Sequence, residues 1–262
     1  MSLILFDWET TSAEPKTARG VQFAALKVSA SELGEETLFN QLCDPEVDIH
    51  HEAAAVHGIS TEMVQGQPKD YEVAAAFLSQ LDSQPEGVIS GGHNSLTFDV
   101  PITKRLAKQG GHESRMEQPH IDTMVLSQRV WPNAPSFRLS ATEEEAKKEG
   151  AIGLTQWLNL GTGEGAHDAL ADIRMVAKLI ERLSAETGKS AMELALWMTE
   201  PFVHTTCHFG KHRGKPWGKG KGGVPFFYVK WCCENWSDAS LDMQATILYH
   251  YGLSFKFRGA LR

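Results

Sequence analysis

In the stretch "LILFDWETT" (Leu3–Thr11), a short apolar run ends in acid, aromatic, acid. A strand points residues i and i+2 to the same face. Asp7 and Glu9 therefore leave its end side by side, with Trp8 turned the other way. Two like charges that close repel unless a cation sits between them or one stays protonated. Solvated strand ends also carry such pairs, whereas clustered oxygens are the ligands that hard divalent cations take. The rest of the chain has to separate these two readings.

At 262 residues the chain has room for one large domain, or for a medium and a small one. Hydrophobic residues make up 42% and charged residues 22%, ordinary for a globular protein without a membrane span. The first strand begins without a basic signal-type region. Cys43, Cys207, Cys232 and Cys233 show no disulfide-framework spacing, so a reducing, cytoplasmic setting is expected. The charge is unevenly placed. Residues 1–200 carry a net −14, whereas residues 201–262 carry a net +6. An acidic body with a basic tail points to a polyanionic partner.

Along the chain, residues 1–188 read as an α/β domain. Val21–Ala30 and Glu36–Asp44 are the next two strands, and the Gly, Pro and Ser signals between them suggest an antiparallel meander. "HEAAAVHGIS" turns into helix and breaks at His57-Gly58; Ser60 then caps a short helix and Asp70 caps "DYEVAAAFLSQLD". "GVISGGHN" is a short strand that runs into a turn, followed by the helix "FDVPITKRLAKQG", which ends at Gly110-Gly111. "HIDTMVLSQRVW" is a strand tip and helix, and "SATEEEAKKEG" an exposed charged helix or loop. "GAHDALADIRMVAKLIERLSAETG" is the clearest helix, with Ala171, Met175, Leu179 and Leu183 at helical spacing. Strands first and helices afterwards predict a mixed sheet with helices on its faces. A linker or helix at 189–200 leads to a boundary near Pro201 and a small basic, aromatic-rich unit at 201–262.

Two further pieces join the opening one. "HNSLTFDVP" places Asp99 at the start of a helix, and "HDALADIRM" places His167 five residues ahead of Asp172. Together these motifs resemble the DEDDh branch of the DnaQ-like (proofreading) 3'→5' exonuclease superfamily, which has an RNase H-like fold. The order is D-x-E-T, then a middle Asp after H-N-x-x-F, then H-x-A-x-x-D. "HEAAAVHGIS" and Ile121–Thr123 are similar to further family segments, so the resemblance spans roughly residues 1–185. It implies a metal-dependent 3'→5' exonuclease that releases 5'-mononucleotides. Asp7, Glu9, Asp99 and Asp172 would hold two Mg²⁺ ions, with Mn²⁺ able to substitute, and His167 would act as general base. Such a cation pair, about 3.5–4 Å apart, clamps the attacking and departing oxygens of a phosphodiester. An imidazole titrates near neutrality and suits removal of the water's proton. Thr10 and His57 would lie beside the terminal nucleotide. The implied substrate is nucleic acid with a free 3' end, single-stranded DNA ahead of RNA. An exoribonuclease and a non-catalytic nucleic-acid-binding module are the alternatives.

Other residues read as structural. Asp168 is a helix N-terminal acid, Asp122 a structural acid, His93 and Asn94 loop-shaping residues, and His50, His51 and His112 surface histidines. One departure from the family pattern is "TTSAEPKTARG", where a small Gly turn is usual. That loop is expected to touch substrate. In the tail, which resembles the small C-terminal domain of exonuclease X-like proteins, Lys211, Arg213, Lys215, Lys219 and Lys221 could neutralise phosphates. Trp217, Phe226, Phe227, Tyr228 and Trp231 read mainly as this unit's core, with base stacking the other option. A zinc site from Cys207, His208, His212 and Cys232 or Cys233 matches no common finger spacing.

Overall fold

The computed structural model describes residues 2–29, 34–141, 152–161, 167–236 and 239–255. Strand β1 (Ser2–Thr10) is the middle of five strands ordered β3-β2-β1-β4-β5. It pairs antiparallel with β2 (Gly20–Ser29), which in turn pairs antiparallel with β3 (Glu35–Leu42). On its other side it pairs parallel with β4 (Ile89–Gly92), which pairs parallel with β5 (His120–Asp122). The expected meander and mixed sheet are both present. Parallel neighbours need a crossover. Helices α1 (His51–His57), α2 (Thr61–Val64) and α3 (Asp70–Asp82) lead from β3 to β4, and α4 (Asp99–Gln109) leads on to β5.

The alternation of β1 sorts two cores. Ile4, Phe6 and Trp8 face Phe77 and Leu81 of α3 and Ile102 and Leu106 of α4. Leu5 faces the opposite way, toward Leu126 of α5 (Thr123–Val130) and Ile173, Val176 and Leu179 of α7 (Ala169–Thr187). Helix α8 (Ala191–Thr199) adds Leu194 and Ala195 to that second layer, so residues 191–199 pack as part of the body. A short α6 (Leu154–Trp157) precedes α7. Helix α7 has Asp168 as its N-cap and stops at Gly188, whose φ of 67° is cheap only for glycine. Gly20 is required for another reason: a Cβ there would lie 2.2 Å from the Trp8 ring.

One expected cap is corrected. Lys69 is the N-cap of α3, and Asp70 lies inside the helix. The buried Asp70 carboxylate instead accepts from Arg19 Nε at 2.6 Å, Arg19 Nη2 at 2.7 Å and the Gly20 N–H at 3.0 Å. A fully buried carboxylate needs a charged, bidentate partner more than a helix needs its cap. Ser60 stands at the N-cap of α2 but its hydroxyl makes no capping bond. Residues 142–150 of "SATEEEAKKEG" lie outside the described residues.

The C-terminal unit has its own core, in which Cys207, Trp217, Val224 and Val229 pack with Met243, Ile247 and Tyr251. It carries α9 (Phe226–Asn235) and α10 (Leu241–Tyr251). Its anchor to the body is Arg129 of α5, which donates to both Asp242 carboxylate oxygens at 2.8 and 2.7 Å. The same guanidinium donates to the carbonyls of Trp197, Met198 and Glu200, the turn between the two parts. Burial pushes the Asp242 pKa up, but hydrogen bonds from His204 and Arg129 outweigh it and hold the pKa below the usual value. Among the described residues, no helix is long and apolar enough to cross a membrane.

Breaking a buried ion pair by removing one partner costs about 3–5 kcal/mol, whereas replacing both partners with apolar groups costs far less. Arg129→Met should therefore lose about that much in urea unfolding, and Arg129→Met/Asp242→Leu should recover most of it. A single variant as stable as the wild type would mean that the tail is held by its apolar contacts alone.

Candidate active site

Residues on the two layers meet at the C-terminal end of β1. Asp7 and Glu9 share its α7 face, and Glu9 pairs with Gln22 across the ladder. Asp172 projects from the first turn of α7. One carboxylate oxygen of Glu9, one of Asp172 and one ring nitrogen of His167 lie within 4.8 Å of one another. This is the one group of His, Cys, Asp and Glu side chains with metal-ligand spacing among the described residues. Asp99 enters from the other layer. It stands at the start of α4, where its Oδ1 accepts the Trp8 N–H at 3.1 Å.

The electrostatics of the cluster are those of crowded acids. The Asp7 pKa is raised well above the carboxylate range, first by burial and then by Asp99, Glu9 and Asp172. Burial followed by the charges of Asp172 and Asp99 pushes Glu9 up to about 9. Burial pushes Asp99 to about 8 against the opposing bond from the Trp8 N–H. It pushes Asp172 to about 7 against the His167 backbone N–H. Elsewhere in the body, cationic side chains are paired with other acids: Arg19 with Asp70, Lys69 with Asp44 and Arg174 with Glu35. Asp172 Oδ1 is buried without any hydrogen-bond partner. A cluster of four carboxylates with an orphaned buried oxygen fits a hard divalent cation.

His167 adopts a φ of 68°, the left-handed region that costs a non-glycine residue about 1–2 kcal/mol. That turn puts it immediately before the α7 cap and beside Glu9. His57 lies close enough that His167, after burial, helps to lower its pKa. Its tautomer follows from its partners. Nδ1 accepts the Ile59 N–H at 3.1 Å, so the proton sits on Nε2, which donates to the Thr10 carbonyl at 3.3 Å. The Thr10 hydroxyl donates to the Ser12 carbonyl.

Of the seven residues singled out from the sequence, Glu9, Asp172 and His167 form this group, and the charges of Asp7 and Asp99 interact with it. His57 and Thr10 are joined by a hydrogen bond next to it. Among the described residues, the cysteines and histidines of the tail form no metal group. Asp168 and Asp122 are structural, as read. Asp168 accepts from the Ala171 N–H. Asp122 accepts from the N–H groups of Asn94, Leu96 and Met124 and so shapes the loop ahead of Asp99. His93 bridges the Thr123 hydroxyl and the Phe137 carbonyl, both at 2.8 Å. The loop "TTSAEPKTARG" is pinned at its far end by the Thr11–Arg19 bonds, by Asp70, and by Arg105 donating to the Ala18 carbonyl.

Sequence reasoning missed Gln22. Its amide donates to Asp168 Oδ2 at 2.9 Å and its Oε1 accepts the Ala169 N–H at 3.3 Å, so β2 holds the start of α7. A polar residue at an inward position of a central strand is the signal that could have found it. Thr103 is a similar case, accepting the Trp8 indole N–H at 2.9 Å and donating to the Asp99 carbonyl.

A carboxylate whose folded pKa is raised stabilises the fold fully only below its unfolded pKa and loses that contribution as pH rises through the folded value. For this cluster the loss falls between about pH 4 and pH 9. In EDTA, melting scans should show the wild type losing stability across that window and Asp172→Asn losing less. Mg²⁺ or Mn²⁺ should raise Tm at pH 8 in the wild type and much less in the variant. A Tm indifferent to both cations would argue against a metal site here.

The comparisons with known proteins agree with this geometry. A protein-family model described as exonuclease (RNase T) matches residues 4–180. The chain is 26% identical over 237 residues to exodeoxyribonuclease 10 of Escherichia coli, covering 88% of this chain and 94% of that protein. It is 25% identical to the chloroplast and mitochondrial exonuclease DPD1 of Arabidopsis thaliana, covering 75% of this chain and 60% of that one. A match to the PolC-type DNA polymerase III of Clostridium perfringens, at 24% identity, spans 73% of this chain and only 12% of the polymerase. Among solved structures, exonuclease I aligns with a TM-score of 0.56 at 19% identity, over 75% of this chain and 42% of that one. Exonuclease X in complex with 5' overhanging duplex DNA aligns at 0.52 and 23%, over 75% and 99%. With its RNase H-like fold, the chain belongs to the exonuclease family, within the DEDDh DnaQ-like superfamily.

Proposed function

We propose that this exonuclease acts in the 3'→5' direction on DNA and releases 5'-mononucleotides. Asp7, Glu9, Asp99 and Asp172 would hold two divalent cations, Mg²⁺ in the first instance. The observation that carries the reading is the convergence of Glu9, Asp172 and His167 within 4.8 Å at a cluster whose buried Asp172 oxygen has no partner. When bound, the cations supply charge stabilisation to the attacking and departing oxygens of the phosphodiester.

The chain's own residues supply the rest. His167 accepts the proton of the attacking water, which requires a neutral ring. Its left-handed backbone and the Asp168 cap fix where that ring starts from. Gln22 is a positioning residue: by holding Asp168 and Ala169, which lie between His167 and Asp172, it ties the start of α7 to β2, the strand paired with β1 at Glu9. Both ring nitrogens of His57 are engaged, so its contact with the terminal nucleotide is through the ring face. The Thr10 hydroxyl keeps its lone pairs for a substrate donor while donating to Ser12. The preference for DNA is supported by likeness to a protein named as an exodeoxyribonuclease over nearly its whole length. An intact acid set with a histidine in reach speaks against a module that only binds.

Digestion of matched 3'- and 5'-labelled DNA and RNA oligonucleotides tests the reaction. The 3' label should leave first as a 5'-mononucleotide, with Mg²⁺ and not with EDTA. Loss from the 5' end, or full activity in EDTA, would overturn the reading, and faster attack on RNA would make the enzyme an exoribonuclease.

Asp7→Ala and Asp172→Ala should each lower the rate by at least about 10³-fold, on the scale of lost metal-held charge stabilisation. His167→Ala should be slower by about 10²–10⁴-fold while keeping the cation-induced rise in Tm. A variant that keeps more than about a tenth of the wild-type rate would assign the proton transfer to another group.

A further inference from the structure

The C-terminal unit contradicts the expectation that its aromatics are mainly core. Of the five, Trp217 is buried at 6% exposure, whereas Phe227 is 72% exposed, Trp231 51% and Phe226 46%. Phe227, Lys230, Trp231 and Glu234 are all exposed on α9. Their spacing of three, four and seven residues puts them on one helix face. Two large rings four residues apart and turned to solvent cost free energy unless something covers them.

The charge around this face says what would cover it. Residues 201–236 contain six basic side chains and a single acid, Glu234. Arg213 is used for docking, since it donates to the Ala134 carbonyl and lies over Phe137 of the body. The five lysines remain exposed, and none forms an ion pair with a described carboxylate. Two of them lie against rings instead: Lys211 is 5.4 Å from the Tyr228 centroid and Lys219 5.8 Å from that of Phe226. Tyr228 in turn is stacked on Trp231. Lys219 and Phe226 also border an open hollow of about 400 Å³ floored by the glycines of "GKGKGG". Flat π-faces interleaved with uncompensated ammonium groups suit a chain that alternates bases and phosphates.

We propose that this face of α9 is a docking site for single-stranded nucleic acid. Bases stack on Phe227 and Trp231, and phosphates lie beside Lys211, Lys219 and Lys230. The site holds the strand away from its reacting end, so the proposal rests on the reading of the chain as an exonuclease that acts on strands. It adds a second surface, on a unit that contains none of the acids of the catalytic cluster. Base stacking is indifferent to sequence, so no base preference is expected.

The test is fluorescence anisotropy of labelled (dT)20 with the full chain in EDTA, over a series of salt concentrations. Phe227→Ala/Trp231→Ala should weaken binding at least about tenfold, the scale of one lost stacking contact. Lys211→Gln/Lys230→Gln should lower the slope of log affinity against log salt by about 0.7 per lysine. In parallel, hydrolysis of the p-nitrophenyl ester of thymidine 5'-monophosphate with Mn²⁺ reads the catalytic cluster alone, because this substrate is too small to engage both sites. Its rate should be unchanged in both double variants. Unchanged affinity and slope would overturn the proposal. So would a wild type that sediments as a dimer and becomes monomeric in Phe227→Ala/Trp231→Ala, which would assign the face to a second copy of the chain. An ester left untouched by a wild type that binds (dT)20 through α9 would reject the exonuclease reading while supporting the docking face.

Discussion

The alternation of one strand governs the molecule. Ile4, Phe6 and Trp8 must bury toward α3 and α4, and that obligation turns Asp7 and Glu9 toward α7. Trp8 then ties the layers together. Its main-chain N–H holds the Asp99 carboxylate and its indole N–H holds the Thr103 hydroxyl. A register slip of one residue would send the two acids into an aromatic core and the indole into the acid cluster. The pairing of β1 with both β2 and β4 resists that slip, and Gly20 makes room for the Trp8 ring where the ladder ends.

The cluster so assembled works against folding. Burial raises Asp7, Glu9, Asp99 and Asp172 alike, and their mutual repulsion adds to it. Backbone N–H groups from Trp8 and His167 offset part of this, and they do so for the acids that sit at helix starts. Helix N-termini also favour negative charge. No such help reaches Asp7 or Glu9 at the C-terminal end of β1. Under the proposed two-cation reading, binding of the cations would offset this repulsion and link the fold to the metal thermodynamically.

The acids were legible in the sequence because each stands at a position that local patterning exposes: the end of an apolar run, the residue after a turn, the first turn of a strongly periodic helix. The sheet's mixed character and the two helical layers followed from the same periodicities. Less of the supporting shell could be read. Asp70 looked like a helix cap because it precedes an amphipathic run, and nothing local announced that Arg19, fifty-one residues earlier in the chain, would claim it. Gln22 and Thr103 act through partners distant in sequence, which periodicity does not encode. The tail aromatics failed differently. Composition assigned Phe227 and Trp231 to a core, but helical spacing places them opposite Val229, Cys232 and Cys233, which fill it.

The tail and the site meet through α5. Its N-cap, Asp122, gathers the N–H groups of the loop ahead of Asp99, and its last turn supplies Arg129 to Asp242 of the tail. A second path runs through Phe137. Its carbonyl receives His93 from the motif that carries Asp99, while its ring receives Arg213 and His208 from the tail. Arg129 is almost fully buried with a charged partner and three carbonyl acceptors. That geometry tolerates little sliding, because any displacement strands a charge in a low-dielectric interior. The tail is therefore held as a fixed part of the molecule rather than as a tethered appendage. A strand bound along α9 would meet the active site at a set spacing, and the number of nucleotides between the two surfaces becomes a property of the fold.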